Sequence, residues 1–295
     1  MKCLITGAGG QLATELVQHA PRSAELHALD IETLDITVPQ QVRDCFASIQ
    51  PDVVFNAAAW TDVDGAETNE DVAAAVNQYG PAHLAEACKE YDARLVHVST
   101  DFVFNGQATR PYREDDPTDP ICAYGRTKLA GEQAIQSTLG DLAIVVRTAW
   151  LYSAHGHNFL RTMLDLMARR DHLKVVADQR GTPTSAGSLA SVLWDLLQAG
   201  ATGLFHWTDG GEATWCEFAR GIHDAAHTGG LLDGEVTIEP IPSSEWPTPA
   251  TRPAYSVLDF TKAEASLGRS PRHWKEEVQA VIQELAAAAA GESGG

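Results

Sequence analysis

Tyr124 and Lys128 are the residues whose types and spacing most directly indicate chemistry. They stand four residues apart within residues 123–132, Ala-Tyr-Gly-Arg-Thr-Lys-Leu-Ala-Gly-Glu, a stretch typical of a helix. That spacing places a phenol and an ammonium on one helix face, where the cation favours the phenolate. An unperturbed tyrosine has a pKa of about 10 and is a poor acid at neutral pH. The pair is therefore a candidate proton donor, although the same spacing also arises by chance on amphipathic helices.

A hydroxyl and a carboxyl group end the strand-like run that precedes this helix. Residues 95–100 are Leu-Val-His-Val-Ser-Thr, and Asp101 follows them. In open α/β sheets the ligand crevice lies beyond the carboxyl ends of the strands. We therefore predict that Thr100 and Asp101 contact the substrate there, near the candidate proton donor formed by Tyr124 and Lys128.

The order of the predicted elements positions these residues. The first half of the chain alternates β-rich runs with longer helical patterns. The β-rich runs are residues 2–6, 25–29, 53–56, 95–99 and 143–147. The helical patterns between them include residues 11–19, 40–49 and 72–91. This alternation predicts a parallel sheet that is covered by helices on both faces. The predicted fold class is α/β, a Rossmann-like doubly wound parallel sheet with a smaller C-terminal substrate-binding domain.

The alternating pattern loosens after about residue 150, where proline and glycine become frequent. We predict a nucleotide-binding domain over residues 1–150, with a return segment near 186–205 that packs back on the sheet. Residues 151–290 are predicted to form mainly the substrate-binding domain, and residues 291–295 a disordered tail.

The first strand is followed at once by a glycine-rich turn. Residues 6–13 are Thr-Gly-Ala-Gly-Gly-Gln-Leu-Ala, and a helical pattern begins within them. Gly7 and Gly10 permit the turn and let the backbone approach a pyrophosphate at a helix N-terminus. Any tight strand-to-helix turn favours glycine, but the position between a strand and a helix is the context that the dinucleotide motif requires. We therefore predict cofactor contacts from Gly7, Gly10, Gln11 and Leu12.

Asp30 ends the second predicted strand, where a carboxylate can accept hydrogen bonds from the adenosine ribose. Such a carboxylate disfavours a ribose 2′-phosphate, so the residues alone favour NADH over NADPH. A turn-capping role is the structural alternative for Asp30. The other predicted cofactor contacts are Asp35, Ile36, Ala57, Ala58, Ala59 and Val98, together with Tyr124 and Lys128.

The composition excludes several classes of function. The chain has 295 residues, a formal net charge of −19 and 44% hydrophobic residues. So acidic a surface repels nucleic acid, and no apolar run is long enough to span a bilayer. Five scattered cysteines without metal-ligand spacing argue against a zinc site and a disulfide framework. We expect a cytoplasmic protein with a small-molecule substrate and no membrane or nucleic-acid partner.

The ordered set of motifs resembles the extended branch of the short-chain dehydrogenase/reductase superfamily. Within it, the sequence is similar to the dTDP-4-dehydrorhamnose reductase family over nearly the whole chain. The segments that carry this resemblance are residues 99–104 (Ser-Thr-Asp-Phe-Val-Phe), 124–132, 147–150 (Arg-Thr-Ala-Trp), 158–159, 178–184 (Asp-Gln-Arg-Gly-Thr-Pro-Thr) and 247–253 (Pro-Thr-Pro-Ala-Thr-Arg-Pro).

The resemblance implies reduction of the 4-keto group of dTDP-4-dehydro-L-rhamnose to dTDP-L-rhamnose, with NADPH or NADH as donor. Tyr124 is then the general acid, Lys128 lowers its pKa and holds the nicotinamide ribose, and Thr100 donates to the same carbonyl oxygen. Trp150 is implied as an aromatic wall for the deoxysugar. Asn77 is implied to support Lys128 through water, although it also fits a polar residue that interrupts a helix.

Other implied features concern anions, metals and assembly. The candidates for binding the substrate diphosphate are Arg161, Arg180 and Arg252. The resemblance also implies a homodimer, which in some family members is bridged by a metal. Glu15 matches one carboxylate of that bridge, but Gly187 stands where a second is expected, so we predict no bound metal. Trp60 and Tyr255 replace residues that are more often His and Asn in the family.

Four alternatives arise at the level of the sequence. A sugar-nucleotide 4,6-dehydratase uses an Asp-Glu pair after the threonine, and Phe102 removes the second acid, which argues against dehydration. An epimerase needs no such pair. A 4-ketoreductase for another dTDP-deoxysugar, or a non-catalytic NADP-binding regulatory subunit of methionine adenosyltransferase, shares the same motifs.

Overall fold

The computed structural model describes residues 1–292 and is organised around a parallel six-stranded sheet. The strands of the chain are β1 (Lys2–Thr6), β2 (Glu25–Leu29), β3 (Val53–Asn56), β4 (Arg94–Thr100), β5 (Ile144–Thr148), β6 (Leu151–Tyr152), β7 (His172–Val176), β8 (Arg180–Gly181), β9 (Thr184–Ser185), β10 (Gly203–His206), β11 (Ala213–Thr214) and β12 (Thr237–Ile241). The sheet has the order β2-β1-β3-β4-β5-β10. Strand β2 lies on one side of β1, whereas β3, β4 and β5 follow on the other side, so the strand order switches between β1 and β3. Such switch points form ligand crevices in α/β folds.

The helices are α1 (Gln11–Gln18), α2 (Pro39–Ile49), α3 (Val63–Thr68), α4 (Glu70–Ala74), α5 (Gly80–Tyr91), α6 (Ala123–Leu139), α7 (Phe159–Met167), α8 (Ala186–Gln198), α9 (Trp215–Thr228), α10 (Thr261–Leu267) and α11 (Trp274–Glu292). The predicted fold class is confirmed. Three of the five predicted strands have the observed bounds, whereas β4 is one residue longer at each end and β5 begins one residue later than predicted.

Alternation along the strands places successive side chains on opposite faces of the sheet. On β1, Cys3 and Ile5 pack with α1 and α8, whereas Leu4 packs with α2 and α5. The sheet is therefore buried on both faces, and this explains why its strands are almost continuously apolar.

Residues 186–206 lie against this sheet. Helix α8 packs on α1, and β10 pairs with β5 in parallel. A separate apolar cluster is formed by α7, α9 and α11 together with β7 and β12, which also pair in parallel. We call this cluster, with the strand pair β8–β11, the aromatic lobe. The division of the chain into two domains stays a prediction.

One helix contains an extra residue per turn. Helices α4 and α5 are joined without a break by a π-helical turn, Ala75–Tyr79. Single π turns inside α-helices occur frequently at functional sites. The prediction of one helix over residues 72–91 identified the segment but not the π turn, because periodicity does not distinguish one extra residue from a regular turn.

No helix within residues 1–292 combines the length and the apolar character needed to cross a membrane. Helix α11 extends to Glu292, into the predicted tail. Residues 293–295 of that predicted disordered tail lie outside the described residues.

Candidate active site

Helix α6, which carries Tyr124 and Lys128, starts beside the carboxyl end of β4. Its N-cap is Cys122, whose Sγ accepts a hydrogen bond from the Gly125 amide at 3.4 Å. Gly125 lies directly against the carbonyl oxygen of Phe102, where any Cβ would collide. The glycine that separates the tyrosine from the lysine thus lets the helix approach the end of the strand.

Thr100 lies at the centre of a small hydrogen-bond group. Its hydroxyl donates to Oδ1 of Asp101 at 3.1 Å and accepts from the Phe102 amide at 3.2 Å. The Tyr124 phenol lies near this hydroxyl, and the interaction between the two groups acts to lower the pKa of the phenol. The predicted catalytic residues Thr100 and Tyr124 are therefore brought together, with Asp101 next to them.

Burial raises the pKa of Tyr124, and the hydrogen bond with Thr100 opposes that rise. Burial thus dominates the pKa of Tyr124 in this arrangement, and the lowering of this pKa by Lys128 stays a prediction. A phenol with a raised pKa is fully protonated at neutral pH. This is the form that a general acid needs.

The Lys128 ammonium points to the sheet. Its Nζ donates to the carbonyl oxygen of Val98 at 2.7 Å. Burial lowers its pKa to about 8, and the negative charge of Glu132 acts in the opposite direction. Near neutral pH the lysine is therefore mostly charged, but its pKa lies only slightly above that pH.

Asp101 is almost completely buried. Burial raises its pKa to about 6, and hydrogen bonds from Ser256 and Thr100 oppose the rise. Its neighbour Phe102 packs edge-on against the Tyr124 ring, with 5.6 Å between the ring centroids. The second acid of a dehydratase is thus replaced by an apolar ring that supports the tyrosine.

The glycine turn between β1 and α1 fits a dinucleotide. Gly7 has a φ of +74°, and a Cβ there would lie 2.9 Å from the Ala58 backbone. Gly10 caps α1 without any side-chain hydrogen bond, which leaves the first amides of the helix without a side-chain partner. Close backbone approach and free amides at a helix N-terminus are the features that accept a pyrophosphate. The small residues Ala57–Ala59 follow β3 beside this turn, at the switch point.

Gln11 and Leu12 differ in their surroundings. Leu12 is buried in the core, whereas the Gln11 amide oxygen accepts from the hydroxyl of Ser153 at 3.2 Å and from Nδ2 of Asn158 at 3.0 Å. Asn158 is also the N-cap of α7. Gln11 therefore ties the glycine turn to the start of the aromatic lobe, a contact that sequence patterns did not indicate.

The predicted adenosine-side residues cap local turns. Asp30 accepts from the Thr33 amide at 2.9 Å, and its hydrogen bonds with Thr33 lower its pKa. Asp35 accepts from the amide of Thr37 at 2.9 Å. Ile36 is buried against Gly80 at the end of the π turn. The turn-capping alternative for Asp30 is thus present in the structure, and its contact with a ribose stays a prediction.

Trp150 is stacked on a residue that sequence reasoning missed. Its ring lies 3.6 Å from that of Trp215, with an angle of 10° between the planes. Trp150 has a φ of +46°, and a Cβ on Gly181 would collide with its ring. Left-handed backbone at a bulky residue is costly and concentrates at functional sites. The glycine of the segment 178–184 was the available signal, because it marks a close approach by a large group.

Asn77 lies in the π turn and is buried. Its Oδ1 accepts from the Trp60 amide at 2.9 Å, and its Nδ2 donates to the Thr127 hydroxyl at 3.2 Å. A Cβ on Gly131 would collide with the Asn77 carbonyl oxygen. Asn77 therefore fixes α6 directly, next to Lys128, and its support of Lys128 through water stays a prediction.

The three candidate arginines are engaged to different extents. Arg252 binds Asp64 through two hydrogen bonds of 3.0 and 2.9 Å, and Arg161 donates to the carbonyl oxygen of Ala154. Arg180 is half exposed and lies 3.7 Å from a carboxylate oxygen of Glu212. Arg161 and Arg180 are both exposed, whereas Arg252 is partly buried, so the first two guanidinium groups are the more available to an anion.

Comparisons with known proteins agree with this geometry. Residues 1–287 match the family described as RmlD substrate binding domain. A protein of Aggregatibacter actinomycetemcomitans named dTDP-4-dehydrorhamnose reductase is 40% identical over 286 residues, which cover 94% of this chain and 97% of that protein. A Streptomyces niveus protein named dTDP-4-keto-6-deoxy-D-glucose reductase is 43% identical over 274 residues, covering 92% and 93% of the two chains. The structure of Bacillus anthracis dTDP-4-dehydrorhamnose reductase in complex with NADP superposes with a TM-score of 0.91 at 33% identity, covering 96% of this chain and 99% of that one.

Proposed function

The chain belongs to the RmlD substrate binding domain family, and from this premise we propose that it reduces the 4-keto group of dTDP-4-dehydro-L-rhamnose to dTDP-L-rhamnose. The proposal is supported by its similarity, over nearly its whole length, to proteins named dTDP-4-dehydrorhamnose reductase. NADPH or NADH is the electron donor. The observation that carries the proposal is that Thr100, Tyr124 and Lys128 meet at the carboxyl end of β4: Thr100 binds the Phe102 amide, Phe102 packs on the Tyr124 ring, and Lys128 binds Val98.

Gly7, Gly10 and the N-terminus of α1 hold the cofactor pyrophosphate, and the small residues 57–59 leave room beside it. The chemistry supplied by the bound dihydronicotinamide is hydride transfer to the ketone carbon. The remaining requirement is a proton for the carbonyl oxygen, on which negative charge develops.

Tyr124 delivers this proton. Its raised pKa keeps the phenol protonated until the carbonyl oxygen becomes basic, and the proton then passes from the phenol to that oxygen. Thr100 is the second donor. In the structure its hydroxyl donates to Asp101, so the proposed role requires it to turn towards the substrate oxygen while the Phe102 amide keeps the threonine oxygen in place.

Lys128 acts on both partners of the reaction. Its ammonium, which bonds to Val98, binds the nicotinamide ribose and stabilises the phenolate that Tyr124 becomes after proton transfer. Because the Lys128 ammonium interacts most strongly with Tyr124 once negative charge develops on the phenol, it stabilises the transition state of proton transfer more than the ground state.

The stacked rings of Trp150 and Trp215 form an apolar wall for the deoxysugar, whose 6-methyl group favours such a surface. Arg180 neutralises part of the substrate diphosphate in this otherwise acidic protein. Asp101 lies close enough to Thr100 to contact a sugar hydroxyl at the reacting end.

The alternative is reduction of another dTDP-4-keto-deoxysugar. A specific observation favours keeping it: the Streptomyces niveus relative is named for dTDP-4-keto-6-deoxy-D-glucose, and it is as similar to this chain as the rhamnose-directed relative. A non-catalytic NADP-binding role is the second alternative, and the assembled Thr100 and Tyr124 argue against it.

The decisive experiment incubates the purified protein with NADPH or NADH and enzymatically prepared dTDP-4-dehydrorhamnose, and follows the loss of reduced-cofactor absorbance. We expect stoichiometric oxidation and dTDP-rhamnose as product. The control replaces the sugar with dTDP-4-keto-6-deoxyglucose. Faster turnover of the control sugar would assign the alternative substrate, and cofactor binding without oxidation by either sugar would reject the reductase proposal.

The cytoplasm is the proposed location, because a reaction that consumes reduced nicotinamide cofactor depends on its supply there. A homodimer is the proposed assembly, on the family resemblance alone.

A further inference from the structure

Tyr124, Lys128 and Glu132 follow one another at intervals of four residues on α6. They therefore share one face of the helix. On this face Lys128 bonds to Val98 of β4, and Glu132 bonds to Arg147 of β5. The proposed chemistry uses the first two residues and leaves the third unassigned. We propose that Glu132, held by Arg147 of β5, is a positioning residue that keeps the Lys128 side chain charged and aimed at the cofactor.

The contact between Glu132 and Arg147 is a two-point ion pair. Arg147 Nη2 lies 2.7 Å from Oε2 of Glu132, and Nε lies 2.9 Å from Oε1. The side chains are only 4% and 9% exposed. The planar guanidinium thus fixes the orientation of the carboxylate as well as its distance.

Arg147 is itself fixed from three sides. It pairs with Ser99 of β4 in the sheet register, and its guanidinium lies 5.1 Å from the centre of the Phe104 ring. His206 of β10 presents Nε2 at 3.4 Å from Nη1. Burial lowers the pKa of His206 to about 3, so this histidine is neutral and its Nε2 can accept while Nδ1 donates to the Tyr112 carbonyl.

A buried ion pair is an expensive way to join a helix to a sheet. The cost of removing both charges from water often equals or exceeds their attraction, and apolar side chains of similar size would hold the elements at least as well. We therefore explain the pair by the effect of the Glu132 carboxylate on Lys128, which lies one turn earlier on α6.

Lys128 depends on that negative charge. Burial lowers its pKa to about 8, and the charge of Glu132 is what raises it towards the ordinary value. The other titratable groups around Lys128 do not supply a negative charge that would raise its pKa. Burial, and secondly the charge of Lys128, lower the pKa of His97 of β4, so this histidine is neutral. Tyr124 is protonated, and Asp101 lies at the Thr100 end of the site. Without Glu132, the pKa of Lys128 would lie further below its ordinary value.

This inference rests on the proposed function, in which the Lys128 ammonium binds the nicotinamide ribose. The test measures the titration of Lys128 directly, by NMR of protein labelled with ¹³C at the lysine ε-carbon, with Lys128→Arg to assign the signal. We expect Glu132→Gln to lower the Lys128 midpoint by about one pH unit, the size of shift that loss of one nearby opposite charge produces.

The matched control is Glu70→Gln, which breaks a different ion pair of the same helix. Arg126 of α6 lies 2.8 Å from Glu70, and both side chains are about half exposed. We expect this variant to leave the Lys128 midpoint unchanged. A structural role for Glu132 alone would change stability in the Gln variant without moving the midpoint, and that result would overturn the proposal.

A second variant covers the case in which Glu132→Gln does not fold because Arg147 is left buried without a partner. Glu132→Gln combined with Arg147→Gln removes both charges, and we expect the Lys128 midpoint to fall in the same direction. An unchanged midpoint in the double variant would equally reject the proposal. Fluorescence titration with NADPH adds a second readout: its affinity should decline at lower pH in the variant than in the wild type.

Neither measurement requires a sugar. A protein that fails to oxidise cofactor with dTDP-sugars but shows the midpoint shift would refute the proposed function and retain the role of Glu132. The opposite result would retain the reductase and reject the positioning role.

Discussion

The end of the site around β4 and α6 is polar and ionisable, whereas the end around Trp150 and Trp215 consists of stacked rings. At the first end, Thr100, Asp101 and Lys128 are buried. Thr100 donates to Asp101 at 3.1 Å, and Lys128 donates to the backbone of β4 at 2.7 Å. At the second end, Trp150 and Trp215 stack on each other and continue into Phe159. None of these rings carries a group that titrates at ordinary pH.

The difference separates two requirements of the proposed reaction. Proton transfer needs groups whose charge and pKa are controlled by burial, and these belong on rigid strand and helix ends. Recognition of a deoxysugar needs area and shape, which aromatic side chains supply. Changes at the first end should therefore alter turnover and its pH dependence, and changes at the second should alter substrate affinity.

The largest effect is expected for Tyr124→Phe. Removing the proton donor should reduce kcat by about 10²- to 10⁴-fold, the usual contribution of general acid catalysis, while NADPH binding is retained. Steady-state kinetics with fluorescence titration would measure both. The matched control is Tyr112→Phe, which removes another buried phenol, bonded to Asn105. Near-normal turnover of the Tyr124 variant would mean that another group protonates the oxygen.

A smaller effect is expected from pH at Lys128. Its pKa of about 8 means that the ammonium is present below that pH and lost above it. If the charged form binds cofactor, affinity should be level below the midpoint and fall by up to about tenfold from pH 7 to pH 9. The Michaelis constant for the sugar at saturating cofactor should stay flat over the same range. A flat cofactor affinity would remove Lys128 from cofactor binding.

The smallest effect is expected for Trp215→Ala. Loss of the stacking partner of Trp150 should raise KM for the sugar by about two- to tenfold, which corresponds to the 0.5–1.5 kcal/mol of an aromatic pair, with kcat little changed. Trp246→Ala is the control, since that ring is 62% exposed. A folded Trp215 variant with wild-type KM would contradict the proposed sugar wall and weaken the division between the two ends.

The sequence predicted the first end much better than the second. Tyr124 and Lys128 are four residues apart on one helix, and Thr100 ends a strand, so local periodicity was enough to bring them together. Gly7 and Gly10 were predictable for the same reason. These signals lie within single elements or at their ends.

The remaining features depend on contacts between residues that are distant in the chain. Trp215 meets Trp150 from 65 positions away, and Gln11 reaches Ser153 and Asn158 in the segment before α7. The rise in the pKa of Tyr124 was not predictable from its spacing from Lys128, because the burial that causes the rise is set by the packing of the whole α6 face. No periodicity in a single segment encodes such distances.

The π-helical turn Ala75–Tyr79 is a place where the chain holds one residue more than a regular helix needs. It places the carbonyl of Asn77 against Gly131 and the start of α5 against Ile36. Because a π turn contains about one residue more than an α turn, deleting one residue here restores a regular helix and leaves α5 in nearly its present orientation. A deletion within α5 has no such extra residue to absorb it and would rotate the residues after it by about 100°. We therefore expect the fold to tolerate the loss of one residue from the π turn better than the loss of one residue from α5, at the cost of the contacts that Asn77 makes with α6.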